Sequence, residues 1–341
     1  MYKKIIVLIS VLLFFGCNEE KIINNVVINQ QFLVAVDSAN PKLVLYDTKD
    51  GILSNDVFFK ENGINLSGNV SKITEYGGMI FLLMPSVYKI EVIDKLTFQI
   101  LKTFDFSEEL LEPTDMCFAN ATDAYVCHGN DSSLSLIDIY NLEVARRIKV
   151  GRNPISISCV GNQIFVVNQS DNTVSIVDSR THKEEKVIKV NTAPSLVACS
   201  EENGKALVVS LGEGKLNNTQ QKTSAKGTFI DTLTKSITSS IELGTIKTKA
   251  TEQYPVKLII TLSDWAYIQT KTHLLRLDAR RESGINTLSS EYNSDIVYHK
   301  LRNQLLIING ERNEVEIANA NNAGKILTFS VPGQIRTIYP L

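Results

Sequence analysis

The sequence predicts an all-β chain, folded as a seven-bladed β-propeller with four-stranded blades and closed by its own C-terminal strand. Three observations lead there. Residues 123–200 hold one unit twice. Ala124–His128, Leu134–Asp138 and Val144–Val150 return about forty residues later as Ile164–Asn168, Thr173–Asp178 and Lys186–Val190, with Gly151–Pro154 and Asn191–Pro194 as matching turns. Each unit is a set of short runs rich in Val, Ile, Leu and aromatics, divided by Gly, Asn, Asp and Pro, and no helical period follows the N-terminus. The segment Gln334–Tyr339 reads as an inner strand that lacks a blade of its own.

The elements then fall in order. Residues 1–16 read as a signal peptide, with Lys3 and Lys4 ahead of the apolar run Ile5–Phe15. At about 1.5 Å per residue that run is far shorter than a hydrocarbon core about 30 Å thick. Gly16-Cys17 closes it and resembles a bacterial lipobox, with Cys17 as the lipidated residue; Phe14 and Phe15 depart from that motif, and an ordinary cleaved signal is the alternative. Residues 17–28 form the linker and 29–341 the propeller. Second strands of the blades are expected at 32–36, 80–84, 124–128, 163–168, 205–210, 265–269 and 304–308. Inner strands are expected near 70–75, 114–118, 155–160, 195–200, 256–262 and 295–299. The C-terminus supplies the missing one, completing a first blade whose other strands come from 32–59. Such closure leaves no open seam in the ring.

In a propeller, the connections from second to third strand and those to the next blade share one face. The longest of these, residues 211–227, is either a binding element or a tolerated insertion, and the long connection 243–255 on the same side favours that rim as the contact region. Tyr254 is the leading contact candidate, since an aromatic gives large area at low entropic cost. Arg152 and Asn153 of the Gly151–Pro154 turn, the strand-end His128 and Asn168, and the inner-strand Arg336 complete the candidate ligand set. His273 also borders this face, and His182 sits in a charged, solvated turn. Asp115 and Arg336 are the main charged residues expected on inner strands, either as a polar anchor or as a structural pair.

Composition narrows the function classes. The chain carries 35 basic and 37 acidic residues; without Lys3 and Lys4 the balance is near −4, so no basic surplus points to nucleic acid. Cys117, Cys127, Cys159 and Cys199 form no CxxC pair, so metal and redox motifs are missing; each sits in an apolar run and suits a small buried hydrophobe, with a Cys117–Cys127 disulfide across the turn between them as the alternative. No HExxH, GxSxG, calcium loop or phosphate loop occurs, and the expectation is no catalytic residue, no metal and no cofactor.

Phe165–Asn168, Asn172–Asp178 and Val150–Pro154 resemble the YVTN family of seven-bladed propellers over about eighty residues. Asn18-Glu19-Glu20 after Cys17 resembles the surface-export signal of Bacteroidetes lipoproteins, which implies an outer-membrane lipoprotein facing either outward or the periplasm. Together these resemblances imply a tethered, binding propeller without an obligate oligomer. It would take a small-molecule ligand or an outer-membrane protein partner, for example a corrinoid captured beside a transporter. Two alternatives stand beside it: an enzyme of the propeller lactonase or lyase type, and a structural partner in envelope assembly.

Overall fold

The computed structural model describes residues 29–212, 224–243, 255–270, 273–289 and 293–341. Cys17, Tyr254 and most of the 211–227 connection lie outside them. Seven four-stranded antiparallel sheets are arranged as the blades of one ring. Their inner strands are Gln334–Pro340, Lys72–Tyr76, Pro113–Phe118, Pro154–Val160, Pro194–Cys199, Pro255–Ile260 and Asp295–His299. The second strands, Gln31–Asp37, Met79–Met84, Asp123–His128, Gln163–Asn168, Lys205–Ser210, Trp265–Thr270 and Gln304–Asn309, meet the sequence expectation to within a residue or two. Gln334–Pro340 pairs antiparallel with Gln31–Asp37, so the C-terminal strand closes the ring.

Packing explains why these runs are apolar on both faces. The second strands are buried almost throughout, because each is covered by a neighbouring blade on either side. Seven separate apolar clusters fill the seven interblade gaps, and each holds one fully buried aromatic. Phe32, Phe58, Phe81, Tyr125, Phe165, Phe229 and Tyr267 are these seven wedges. Side chains this large contribute several kcal/mol each through burial. The outer strands, such as Glu143–Lys149 and Lys183–Lys189, are charged and exposed, which blunts edge-to-edge aggregation.

One helix departs from the all-strand expectation. The first blade's outer strand is only Gly51–Ser54, and α1 (Val57–Asn62) follows it. Asp56 caps its N-terminus by accepting from the Phe59 N–H, and Gly63 ends it at φ 69°. The expected 32–59 blade therefore stops at Ser54. Phe58 fills the gap beside the second blade, where the short outer strand offers no aromatic. Asn62 then bonds the Phe98 carbonyl at 2.9 Å and the Ile100 N–H at 2.9 Å, fastening the helix to that blade.

The turns from third to fourth strand repeat one device seven times. Asp47, Asp94, Asp138, Asp178, Asp231 and Asp278, with Asn319 in the seventh blade, each turn a side-chain oxygen back onto the turn's own N–H groups. Four residues on, the chain takes a left-handed conformation at Gly51, Phe98, Leu142, His182, Lys235, Glu282 and Ala323. The residue two after the capping residue stands at the tip of each turn.

Candidate functional site

Strand direction sorts the connections into two faces. The loop face carries the second-to-third-strand loops and the passages to the next blade. The turn face carries the capped turns, and there the chain enters the ring at Asn29–Gln31.

At the loop face the inner strands open with a shared irregularity. In the third, fourth and fifth blades Pro113, Pro154 and Pro194 lie opposite His128, Asn168 and Ser210, and the next residue bulges out of register. The bulged or equivalent residue is a hydroxyl in four blades. Ser71, Thr114, Ser195 and Ser294 donate to the carbonyls of Leu83, Cys127, Val209 and Ile308. Arg336 occupies this position in the first blade and is exposed, with no ion pair or hydrogen bond among the described residues. The nearest charge acting with it is Asp37, whose pKa is raised by burial and pulled back by the guanidinium. A cation thus stands at the channel mouth where other blades place a self-satisfied hydroxyl.

The residue after the bulge points along the channel wall toward the next blade. Lys72 pairs with Asp115, which also accepts from the Ile157 N–H at 3.0 Å; the Lys72 ammonium donates to the Met116 carbonyl at 3.0 Å. Ser156 accepts from the Val197 N–H at 3.1 Å, and Lys257 meets Asp295 at 3.4 Å. These contacts satisfy inner-edge backbone groups and neutralise the wall. Asp115 is paired with Lys72 and not with Arg336. Lys72, Lys257 and Asp295 lie within the expected inner strands, but their pairing was missed because contacts from one blade to the next are not written in the repeat.

The strand-end candidates are buried. His128 Nε2 lies 2.7 Å from Ser135 Oγ, and Phe106 packs edge-on against its ring. Burial, with Arg147 nearby, lowers its pKa to about 4, so it is neutral at pH 7. Asn168, its equivalent one blade on, donates to Ser175 at 2.7 Å and to Thr173 at 3.1 Å. Gly151 packs so closely on Asn168 that a Cβ there would sit 2.7 Å from its amide. His128 Nδ1 and Asn168 Oδ1 are buried without a protein partner. Arg152 binds Asp171 through its backbone N–H at 2.7 Å and its guanidinium at 2.6 Å, leaving most of the side chain exposed. Asn153, left-handed at φ 54°, donates to Gln169 at 3.2 Å. Arg152 and Asn153 thereby clip two loops of the fourth blade together on this face. The His273 N–H donates to Thr270 Oγ1 within its hairpin. His182, expected to be solvated, instead stands 2.8 Å from the Tyr125 hydroxyl of the preceding blade.

The disulfide joins Cys117 to Cys159, between the inner strands of the third and fourth blades, in place of the Cys117–Cys127 pair. Cys127 is buried in the third-to-fourth-blade cluster and free. Its side chain and that of Cys117, although on adjacent strands, do not pair, because Cys127 is registered opposite Asp115.

The turn face holds a cavity of about 420 Å³ beside the point of chain entrance, flanked by Gln31, Lys95, Leu96, His299 and Arg302. Burial lowers the His299 pKa, and Arg302 and Lys95 lower it further. No three His, Cys, Asp or Glu side chains converge as a metal-holding group among the described residues.

No protein-family model matches the chain, and no curated protein matches it in sequence. Solved structures do match in fold. Among them is Kuenenia stuttgartiensis hydrazine synthase, similar with a TM-score of 0.60 and 16% identity over 74% of this chain and 77% of that one. It is one of 1462 solved chains that match, a breadth that carries the fold and not an activity.

Proposed function

We propose that this chain is a membrane-tethered binding propeller of the YVTN type, which holds its loop face toward a ligand or partner and recognises an acidic group through Arg336. The observation that carries the reading is the division of labour between the two faces. The chain enters on the turn face, whereas Arg336 and the exposed Arg152 stand on the loop face. The lipobox-like Gly16-Cys17 and the acidic Asn18–Glu20 support an outer-membrane lipoprotein. The Cys117–Cys159 bridge supports an oxidising compartment. Binding is favoured over catalysis because the charged groups of the channel wall are spent on one another. A corrinoid, whose carboxamide rim and phosphate offer acceptors, remains the concrete version for a surface lipoprotein of this kind.

A thermal-shift screen with cyanocobalamin and anionic oligosaccharides tests the proposal. A true ligand at 100 times its dissociation constant stabilises by about 2.7 kcal/mol, and Arg336→Glu removes that shift, measured against the variant's own melting temperature, which falls somewhat because the new carboxylate stands beside Asp37. Turnover of any of these compounds by the wild-type chain, or an equal shift in Arg336→Glu, overturns it.

A further inference from the structure

The seven turn tips hold Lys49, Leu96, Tyr140, Arg180, Leu233, Arg280 and Asn321. Three are large and apolar, three are cationic, and none is acidic. Leu96, Tyr140 and Leu233 are 87%, 88% and 87% exposed, and Leu301, in a neighbouring turn of the seventh blade, is 94% exposed. Single exposed apolar residues are ordinary on a protein surface. These four differ in that they crown the same face at four positions around the ring, and three occupy the same position of a repeated turn. The turn needs nothing apolar there, since its geometry is set by the capping Asp and the left-handed residue. The carboxylates behind the tips are occupied by backbone N–H groups, which lower the pKa of Asp94, Asp138 and Asp231.

We propose that the turn face is a bilayer-docking surface, in which Leu96, Tyr140, Leu233 and Leu301 enter the headgroup boundary of the membrane that anchors the chain. The occupant follows from where the chain enters. Residues 1–28, with the apolar run Ile5–Phe15 and Cys17, join the ring at Asn29 on this same face. A linker over 17–28 spans at most about 40 Å when extended, so the face is held within reach of the lipid. Leu and Tyr side chains suit burial about 5–10 Å into that boundary, and Lys49 can extend its stem while its charge stays at the phosphates; Arg180 and Arg280 are held by Asp178 and Asp264. The cavity lined by Lys95 and Arg302 opens beside Gln30 and Gln31, and its two cations suit a phosphate headgroup. Because the capping carboxylates offset the cations, docking is driven by apolar contact and holds on zwitterionic lipid.

This rests on the tethered reading, and the experiment separates the two. The full chain is reconstituted on phosphatidylcholine vesicles containing brominated acyl chains. A reporter is introduced by Tyr140→Trp or Leu233→Trp on the turn face, or by Glu311→Trp on the loop face, each combined with Trp265→Phe. The expected result is loss of about half the fluorescence at the two tips and none at the loop face, which lies some 20 Å higher. Equal quenching at both faces, or stronger quenching at the loop face, overturns the docking proposal. Mass spectrometry of the same samples reads the acyl group on Cys17; its absence defeats the tether alone, and its presence with unquenched tips defeats the docking alone. Hydrogen exchange of the unsubstituted chain guards against misfolded variants: slowed exchange in turns 94–98 and 138–142 on vesicles supports docking, and unchanged exchange counts against it.

Discussion

Burial takes His128 out of water, and the neutral imidazole sits on Ser135 with Phe106 at its edge. In the unfolded chain it titrates near 6.5, in the fold near 4. Above pH 6.5 neither state binds the proton. Between 6.5 and 4 the unfolded chain binds one that the folded chain refuses, so stability falls as the pH drops through that window, by up to about 3 kcal/mol. His128→Asn installs the residue found at the equivalent Asn168 and keeps a bond to Ser135. Urea midpoints at pH 7.5 and 4.5 should show the variant losing less stability on acidification than wild type, the carboxylates acting alike in both. The repeat made His128 and Asn168 recognisable as equivalent strand ends, and their hydroxyl partners stand seven residues on in both blades. Arg336 was legible as an inner-strand cation, but its isolation was not. That depends on a bulge, and a bulge is set by pairing across the closed ring rather than by neighbours in sequence.

Element by element, the inner strands of the third, fourth and fifth blades touch through equivalent positions. Cys117 reaches Cys159 across one gap, and Ser158 lies against Cys199 across the next: the Cys199 N–H donates to Ser158 Oγ at 3.1 Å, and its sulfur lies 4.0 Å from the Ser158 carbonyl. The Cys199 thiol is free and its pKa is pushed up by burial to about 12, which makes it inert as it stands. Ser158→Cys should therefore form a second interblade bridge under oxidising conditions, read as loss of free thiol and a higher melting temperature, with about 4 kcal/mol expected from a closed loop of this length. No pair of this kind could be found from spacing, because the bridge follows the blade-to-blade step and not the hairpin. The strands were legible because their composition repeats. The six residues of α1 were not: Val57-Phe58-Phe59 is as apolar as a strand, and a helix this short shows barely two turns of period. Only the truncated outer strand beside it explains why a helix fills that gap.

At the scale of the whole molecule, the ring depends on one non-covalent closure. Removing residues 334–341 strips Ile335 and Ile338 from the cluster between the seventh and first blades and bares the inner edge of Gln31–Asp37. The truncated chain should lose its single sharp thermal transition, and a retained cooperative melt would show that the closure is dispensable. The closure was readable in the sequence because six inner strands and one orphan at the C-terminus add up to seven blades. The same arrangement has a mechanical consequence. A pull applied at Asn29 runs along the axis of Gln31–Asp37, which is hydrogen-bonded on one side to Gln334–Pro340 and on the other to Lys42–Asp47. The load falls on both ladders in shear, all rungs sharing it together, and cannot peel them open one at a time. A strand at the blade's outer edge would unzip under the same force. By threading its first strand between two others, the chain has put its point of entry where the ring resists tension best.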